Sequence, residues 1–266
     1  MRLPASTPVE LVHDVYVKRE DLCMAGTRGP PFSKMRGVVE HIANRPEEVI
    51  GVLDTYHSQG GHAVAYACHE LGKRCVNFWP RRKADIGAHL RPQQAAAQAL
   101  GADLVAIPAG RSAVLYHRAK SELKFSSDSY MMPNALKLPE MVTTTAKEAQ
   151  QTFREYADVQ RVIISISSGT IAAGVLQALD DLEWVGEVVL HMGYSRPVGA
   201  TIKYVKTMAQ RNFEWIQLRV VDEGFAYGDA VKVSVPFPCN MYYDAKAWKW
   251  LMDNPQPNTL FWNVGA

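Results

Sequence analysis

Apolar residues recur along the chain in two rhythms. Short, mostly apolar runs, Glu48-Val49-Ile50-Gly51-Val52-Leu53-Asp54, Cys75-Val76-Asn77-Phe78-Trp79 and Arg161-Val162-Ile163-Ile164-Ser165-Ile166 among them, read as strands. Between them lie longer segments with helical spacing, over residues 63–71, 91–100, 113–123, 143–156, 171–179 and 200–210. Residues 103–107, 187–191 and 214–221 add further strands, and Val15-Tyr16-Val17 makes a short early one closed by the charges of 18–21. Residues 34–42 form a helix with Met35, Val38, Val39 and Ile42 on its apolar face. Strands apolar throughout are covered on both faces, and their alternation with helices is the mark of parallel sheets. The pattern therefore predicts an α/β fold of two doubly wound, mostly parallel sheets facing one cleft. The stretch through Met131-Met132-Pro133-Asn134 reads as irregular, and Pro236-Phe237-Pro238 and Pro255-Gln256-Pro257 as turns.

Composition narrows the class without naming a chemistry. The 266 residues are 47% hydrophobic and 21% charged, enough chain for one large or two modest domains. A net charge of +2 is too mild to announce nucleic-acid binding. The cysteines, Cys23, Cys68, Cys75 and Cys239, form no CxxC pair and no zinc spacing, so reduced thiols are expected. No apolar run has the length of a signal-peptide core or a membrane span, which predicts a cytoplasmic protein with no membrane partner.

Three places carry candidate chemistry. Lys34 stands at the first turn of its helix, where the positive field favours an uncharged amine able to attack an aldehyde. Ser167-Ser168-Gly169-Thr170 links a buried strand to a helix opening with small residues, Ala172-Ala173-Gly174. Its N–H groups and hydroxyls suit a phosphate monoester, while simple helix capping is the other reading. Neither GxxxxGK[ST] nor GxGxxG is present, so the phosphate belongs to something smaller than a nucleoside triphosphate or dinucleotide. Asp244, before Ala245-Lys246-Ala247-Trp248, fits a helix N-cap. His57 and His62 lack the spacing of a metal pair, and His69, His117 and His191 have no carboxylate or cysteine cluster to join. Arg81-Arg82-Lys83 and Lys203, Lys206 and Arg211 read as solvated faces or, more sharply, as a patch for nucleic acid.

Taken in order, these segments resemble the pyridoxal-phosphate enzymes of the tryptophan-synthase-β fold (fold type II), most closely the aminocyclopropanecarboxylate deaminase and D-cysteine desulfhydrase group. Lys18-Arg19-Glu20-Asp21 followed by Phe32-Ser33-Lys34-Met35-Arg36 is similar to that group's KRED … GGNKxRK signature, whose lysine carries pyridoxal 5'-phosphate as a Schiff base. Ser58-Gln59 stands where the family has Ser-Asn, which implies Ser58 for the substrate carboxylate and Gln59 for the cofactor ring oxygen. Ser167, Ser168, Gly169 and Thr170 fall at the phosphate loop. Tyr242 to Trp248 is similar to VYxGKAM, implying a catalytic Tyr243 and an Asp244 facing the pyridine nitrogen, and 259–265 is similar to VLFxHTGG. The resemblance implies a large cofactor-binding domain, residues 1–46 plus 146–266, a small domain, 47–145, and a homodimer.

Several positions depart from the family. Pro30-Pro31-Phe32-Ser33 replaces its glycines and asparagine, Gln59 replaces asparagine, and Asn263-Val264-Gly265-Ala266 replaces His-Thr-Gly-Gly. A short proline-rich segment between Tyr227-Gly228 and Tyr243 stands where relatives carry a helix, so a larger substrate is plausible. The leading expectation is a lyase or deaminase acting at Cα of an amino-acid amine through Lys34. The alternatives are a decarboxylase acting on an amino acid attached to a thymine base in phage hypermodified DNA, and a non-catalytic protein that keeps the fold.

Overall fold

The computed structural model describes residues 4–55, 57–82, 89–124 and 128–266; Lys83 of the first basic cluster lies outside them. In chain order the elements begin with β1 (Val9–Val12), β2 (Val15–Arg19), α1 (Met35–Ala43), β3 (Val49–Leu53), α2 (Gly60–Leu71), β4 (Arg74–Arg81), α3 (Pro92–Ala99), β5 (Asp103–Pro108), α4 (Ser112–Leu123) and β6 (Ser129–Met131). They continue with α5 (Pro139–Glu155), β7 (Arg161–Ile166), α6 (Thr170–Asp181), β8 (Gly186–Met192), α7 (Val198–Ala209), β9 (Ile216–Val221), α8 (Asp244–Asp253) and β10 (Thr259–Asn263). Two compact units divide the chain: one takes in Gly26–Pro30 and Val38–Leu138, the other Pro4–Ala25, Pro31–Gly37 and Pro139–Ala266.

The first unit holds a parallel sheet in the order β5-β4-β3-β6. Leu53, Val76, Phe78 and Ile107 pack with Leu115, Ala119 and Leu123 of α4 to make its core. The strand order reverses between β3 and β6, so the loop after β3, which carries Ser58 and Gln59, leaves the sheet at the switch point where α/β sheets place ligands.

The second unit holds six strands in the order β1-β2-β10-β7-β8-β9, all parallel except the β1–β2 pair. Successive side chains of a strand point to opposite faces, and the burial follows that period. Val162, Ile164 and Ile166 of β7, Val188, Leu190 and Met192 of β8, and Leu260 and Trp262 of β10 pack against α5, α6 and α7. Ile163, Val189 and Phe261 point the other way, to Trp248, Trp250 and Leu251 of α8. Each large side chain so buried contributes about 2–3 kcal/mol of transfer free energy. The small residues opening α6 serve close packing: a Cβ on Gly174 would stand 2.6 Å from Cβ of Thr145 on α5. Order reverses again between β10 and β7, so the loops after these two strands part at a second switch point.

Two expectations are corrected, and one strand is added. The stretch read as irregular contains β6, whose three residues ahead of Pro133 are too few to show a period. The added strand is β1, a partly exposed edge strand that the pattern did not predict. α5 starts at Pro139, where proline suits the first helical position, four residues before its apolar rhythm is visible.

Candidate active site

The loop after β7 is the centre of the second unit's site. Gly169 caps α6 with a left-handed backbone, φ 86°, and no side chain caps the helix. A Cβ there would also come 2.9 Å from Cγ2 of Val205. The capping reading of Ser167 to Thr170 is thus not realised, and the first-turn N–H groups of α6 have no side-chain acceptor from the cap. The hydroxyls gather around that helix end instead. Ser168 Oγ accepts from Lys34 Nζ at 3.0 Å and lies 3.1 Å from Thr170 Oγ1, which is 3.2 Å from the Tyr204 hydroxyl. Amine, hydroxyls and helix N-terminus together favour an anion.

Lys34 is held by the segments that depart from the family motifs, and these departures are one another's partners. Phe32 bridges to Gly265, Ser33 N–H donates to Val264 C=O at 3.0 Å, and Ala266 N–H donates to Pro31 C=O at 3.0 Å. A Cβ on Gly265 would stand 2.3 Å from the Pro31 carbonyl oxygen, so this close approach needs glycine. The Lys18-Arg19-Glu20-Asp21 run is bracing. Arg36, two residues beyond Lys34, pairs with Glu20 and reaches Glu148 at 3.6 Å, while Lys18 Nζ meets Glu148 at 2.6 Å. Burial pushes the Glu148 carboxyl up, but Arg36 and Lys18 outweigh it and hold it below the usual range. Asp21 accepts from Asn263 Nδ2 at 2.9 Å and ties the same brace to β10.

Asp244 is not the helix cap expected of it. Tyr243 takes the cap position, and the buried Asp244 carboxylate accepts from Ser165 Oγ at 2.5 Å and from Val264 N–H at 3.2 Å. Burial pushes its pKa up to about 7 against the lowering by these two donors. A cationic nitrogen opposite such a carboxyl would draw its pKa back down and hold it ionised. The Tyr243 hydroxyl hydrogen-bonds with Tyr227 and Ser167; burial, then Tyr227, raise its pKa well above the ordinary phenol, so it keeps its proton.

Of the residues expected at a site, Lys34, Ser167, Ser168, Gly169, Thr170, Tyr243 and Asp244 come together in the second unit. Ser58 and Gln59 belong to the first. Ser58 Oγ there accepts from Gly60 N–H at 3.1 Å and Gln59 sits at the cap of α2. Beneath them Asp54 accepts from the N–H groups of Thr55 and Gly61 and from Asn77, and burial pushes its pKa up to about 6. Sequence reasoning missed Ser165, Tyr204 and Tyr227. Ser165 had a signal: it is the one polar residue between Val162 and Ile166, on the parity of Ile163, hence on the α8 face. His191 has a single carboxylate partner among the described residues, its Nε2 lying 2.8 Å from Glu223 Oε2. Among the described residues no group of His, Cys, Asp and Glu could hold a metal ion, and no helix is long and apolar enough to cross a membrane. Arg211 is engaged by Asp180 and Asp181, which weakens the case for a phosphate-binding patch there.

Comparison with known proteins gives the family and the fold. Residues 2–210 match the family described as pyridoxal-phosphate dependent enzymes. A glycyl-dTMP PLP-dependent decarboxylase of Pseudomonas phage M6 is 51% identical over 275 residues, 98% of either chain. Among solved structures, an ACC deaminase homologue superposes with a TM-score of 0.78 at 17% identity, covering 99% of this chain and 90% of its own. Processed threonine deaminase isoform 2 of Solanum lycopersicum gives 0.69 at 17%, covering 99% and 84%. At such identities the solved structures speak for the fold alone.

Proposed function

The chain belongs to the pyridoxal-phosphate dependent enzymes, and from that premise we propose that it decarboxylates a glycyl-bearing thymidine monophosphate. The 51% identity with the phage decarboxylase, sustained over 98% of both chains, carries this reading.

The residues of the second unit fit the cofactor. An amine at Lys34, an uncapped helix start with the Ser168 and Thr170 hydroxyls, and the buried Asp244 carboxyl match in kind an aldehyde, a phosphate monoester and a pyridine nitrogen. Lys34 would hold the cofactor covalently, Ser167 to Thr170 its phosphate and Asp244 its ring nitrogen. Bound pyridoxal phosphate supplies an electron sink for the pair released when a bond at Cα breaks.

The chain's own residues then have defined tasks. Asp244, kept dry under α8, holds a proton at the ring nitrogen's side of the site, with Ser165 and Val264 fixing the direction of its oxygens. Loss of carboxylate as CO2 leaves Cα needing a proton, and Lys34 Nζ, free once the substrate amine has taken its place on the cofactor and steered by its bond to Ser168 Oγ, would be the amine to return it. Tyr243, held neutral, donates a hydrogen bond and takes no charge.

Parallel incubation with glycyl-dTMP, as free nucleotide and within a DNA strand, and with free amino acids, followed by mass spectrometry for loss of CO2 or ammonia, tests the reading. Turnover of the aminoacylated nucleotide is expected; turnover of free amino acids alone overturns it. Lys34→Ala is expected to abolish the visible absorbance of the protein-bound cofactor and to lower turnover by about three orders of magnitude or more. Persistence of that band in the variant removes Lys34 from its role.

A further inference from the structure

Residues 193–197, between β8 and α7, leave the sheet at the same edge as the Ser167 loop, because Met192 and Ile166 are register partners in parallel strands. The segment is fixed in place. Gly193 N–H donates to Ile166 C=O at 3.1 Å, Ser195 N–H to Phe225 C=O at 2.8 Å, and Ser195 Oγ to Asp222 Oδ2 at 2.7 Å. Arg196 stands on this fixed segment, next to Pro197 at the start of α7.

Its guanidinium lies over the Tyr194 ring, 5.2 Å from the centroid. Tyr194 meets Tyr227 edge-on at 5.2 Å, and Tyr227 hydrogen-bonds with Tyr243, which also bonds Ser167. An unbroken set of contacts thus joins Arg196 to the first residue of the anion cradle. Two guanidinium nitrogens, Nε and Nη2, are buried with no hydrogen-bond partner among the described residues. They share one edge of the planar group, the edge that grips two oxygens of a phosphate or carboxylate at once. The carboxylates of the neighbouring segment are spoken for: Asp222 by Ser195 and Gly224 N–H, Glu223 by His191, Asp229 by Ala226 N–H. Burying cationic donors without an acceptor is costly, and nothing in the local backbone relieves it.

The geometry points to Arg196 as the receptor for the substrate's phosphate, its Nε–Nη2 edge taking two oxygens of the nucleotide while the cofactor's phosphate goes to the α6 cradle. The inference rests on the decarboxylase reading for the identity of its ligand. A phosphate suits the edge better than the departing carboxylate, because a bidentate grip on the group to be lost would stabilise the ground state and slow its departure. A free amino acid offers no phosphate, so the same arginine would be idle in an enzyme for that substrate.

Calorimetric titration of cofactor-loaded enzyme with dTMP and with thymidine tests this, in the wild type, Arg196→Met and Arg196→Lys, alongside titration of each cofactor-free protein with pyridoxal phosphate. Wild type is expected to bind dTMP on the order of ten- to hundredfold more tightly than thymidine. Arg196→Met, whose stem still covers Tyr194, removes that difference and leaves thymidine binding unchanged. Arg196→Lys keeps the charge without the fork and falls between. Cofactor affinity stays constant across the three. Equal dTMP affinity in wild type and Arg196→Met overturns the proposal, and so does weakened pyridoxal-phosphate binding in Arg196→Met, which would give the edge to the cofactor. Because dTMP carries no amino acid, Arg196-dependent binding without turnover of glycyl-dTMP sinks the decarboxylase reading and leaves the receptor standing; turnover without Arg196 dependence does the reverse.

Discussion

Asp244 shows how far one side chain can be read before its neighbours are known. Its position beside a helix start is visible in sequence, yet its partner Ser165 lies 79 residues away and emerges only when β7 turns that parity toward α8. In the cofactor-free protein its folded-state pKa, about 7, exceeds the ordinary 3.8, so the folded form holds a proton the unfolded form has released. Stability must then fall as pH rises from about 4 to about 7, by a few kcal/mol. Asp54, pushed to about 6, adds a smaller fall in the same direction. Urea midpoints of the cofactor-free protein across this range are expected to decline, and Asp244→Asn to flatten most of the decline. An unchanged slope in the variant would mean that the carboxyl is already ionised when buried. Lys34 was legible for a different reason: its place at a helix start is local, whereas the roles of Tyr227 and Arg196 depend on which loops meet at a sheet edge.

The Ser167 to Thr170 loop makes the same point among the elements. Sequence offers cap or cradle with little to choose between them, and the backbone removes the side-chain cap, because Gly169 takes the cap position in a left-handed conformation with no side chain bonding across. Gly169→Ala is expected to cost about 1–2 kcal/mol from that conformation, plus contact with Val205, and to weaken pyridoxal-phosphate binding at least about tenfold. Denaturant unfolding and a cofactor titration measure the two; a stability loss with unaltered cofactor affinity would disqualify the loop as the cradle. Strands and helices of the α/β alternation stood out because strands such as β7 and β8 are covered on both faces and read as largely apolar runs. β1 and β6 did not, one being partly exposed and the other three residues long.

For the whole molecule, collinear motifs identified the fold type, and the departures from those motifs turned out to be structurally linked: residues 31–33 pair with 264–266. β10 lies between β2 and β7, so residues 259–263 stand in the middle of the six-stranded sheet. A chain ending at Pro257 is expected to lose cooperative unfolding of the second unit and to bind no pyridoxal phosphate, by circular dichroism and absorbance; retention of either would show that the sheet closes without β10. The same placement has a consequence for biosynthesis. Until residue 263 has left the ribosome, β2 and β7 each present an unpaired edge, and neither Val264 nor Asn263 is there to hold Asp244 and Asp21. The nascent chain therefore carries its lysine through the synthesis of residues 35–263 before it has a site to place it in, and a message cut short within them yields an aggregation-prone product instead of a partly active enzyme.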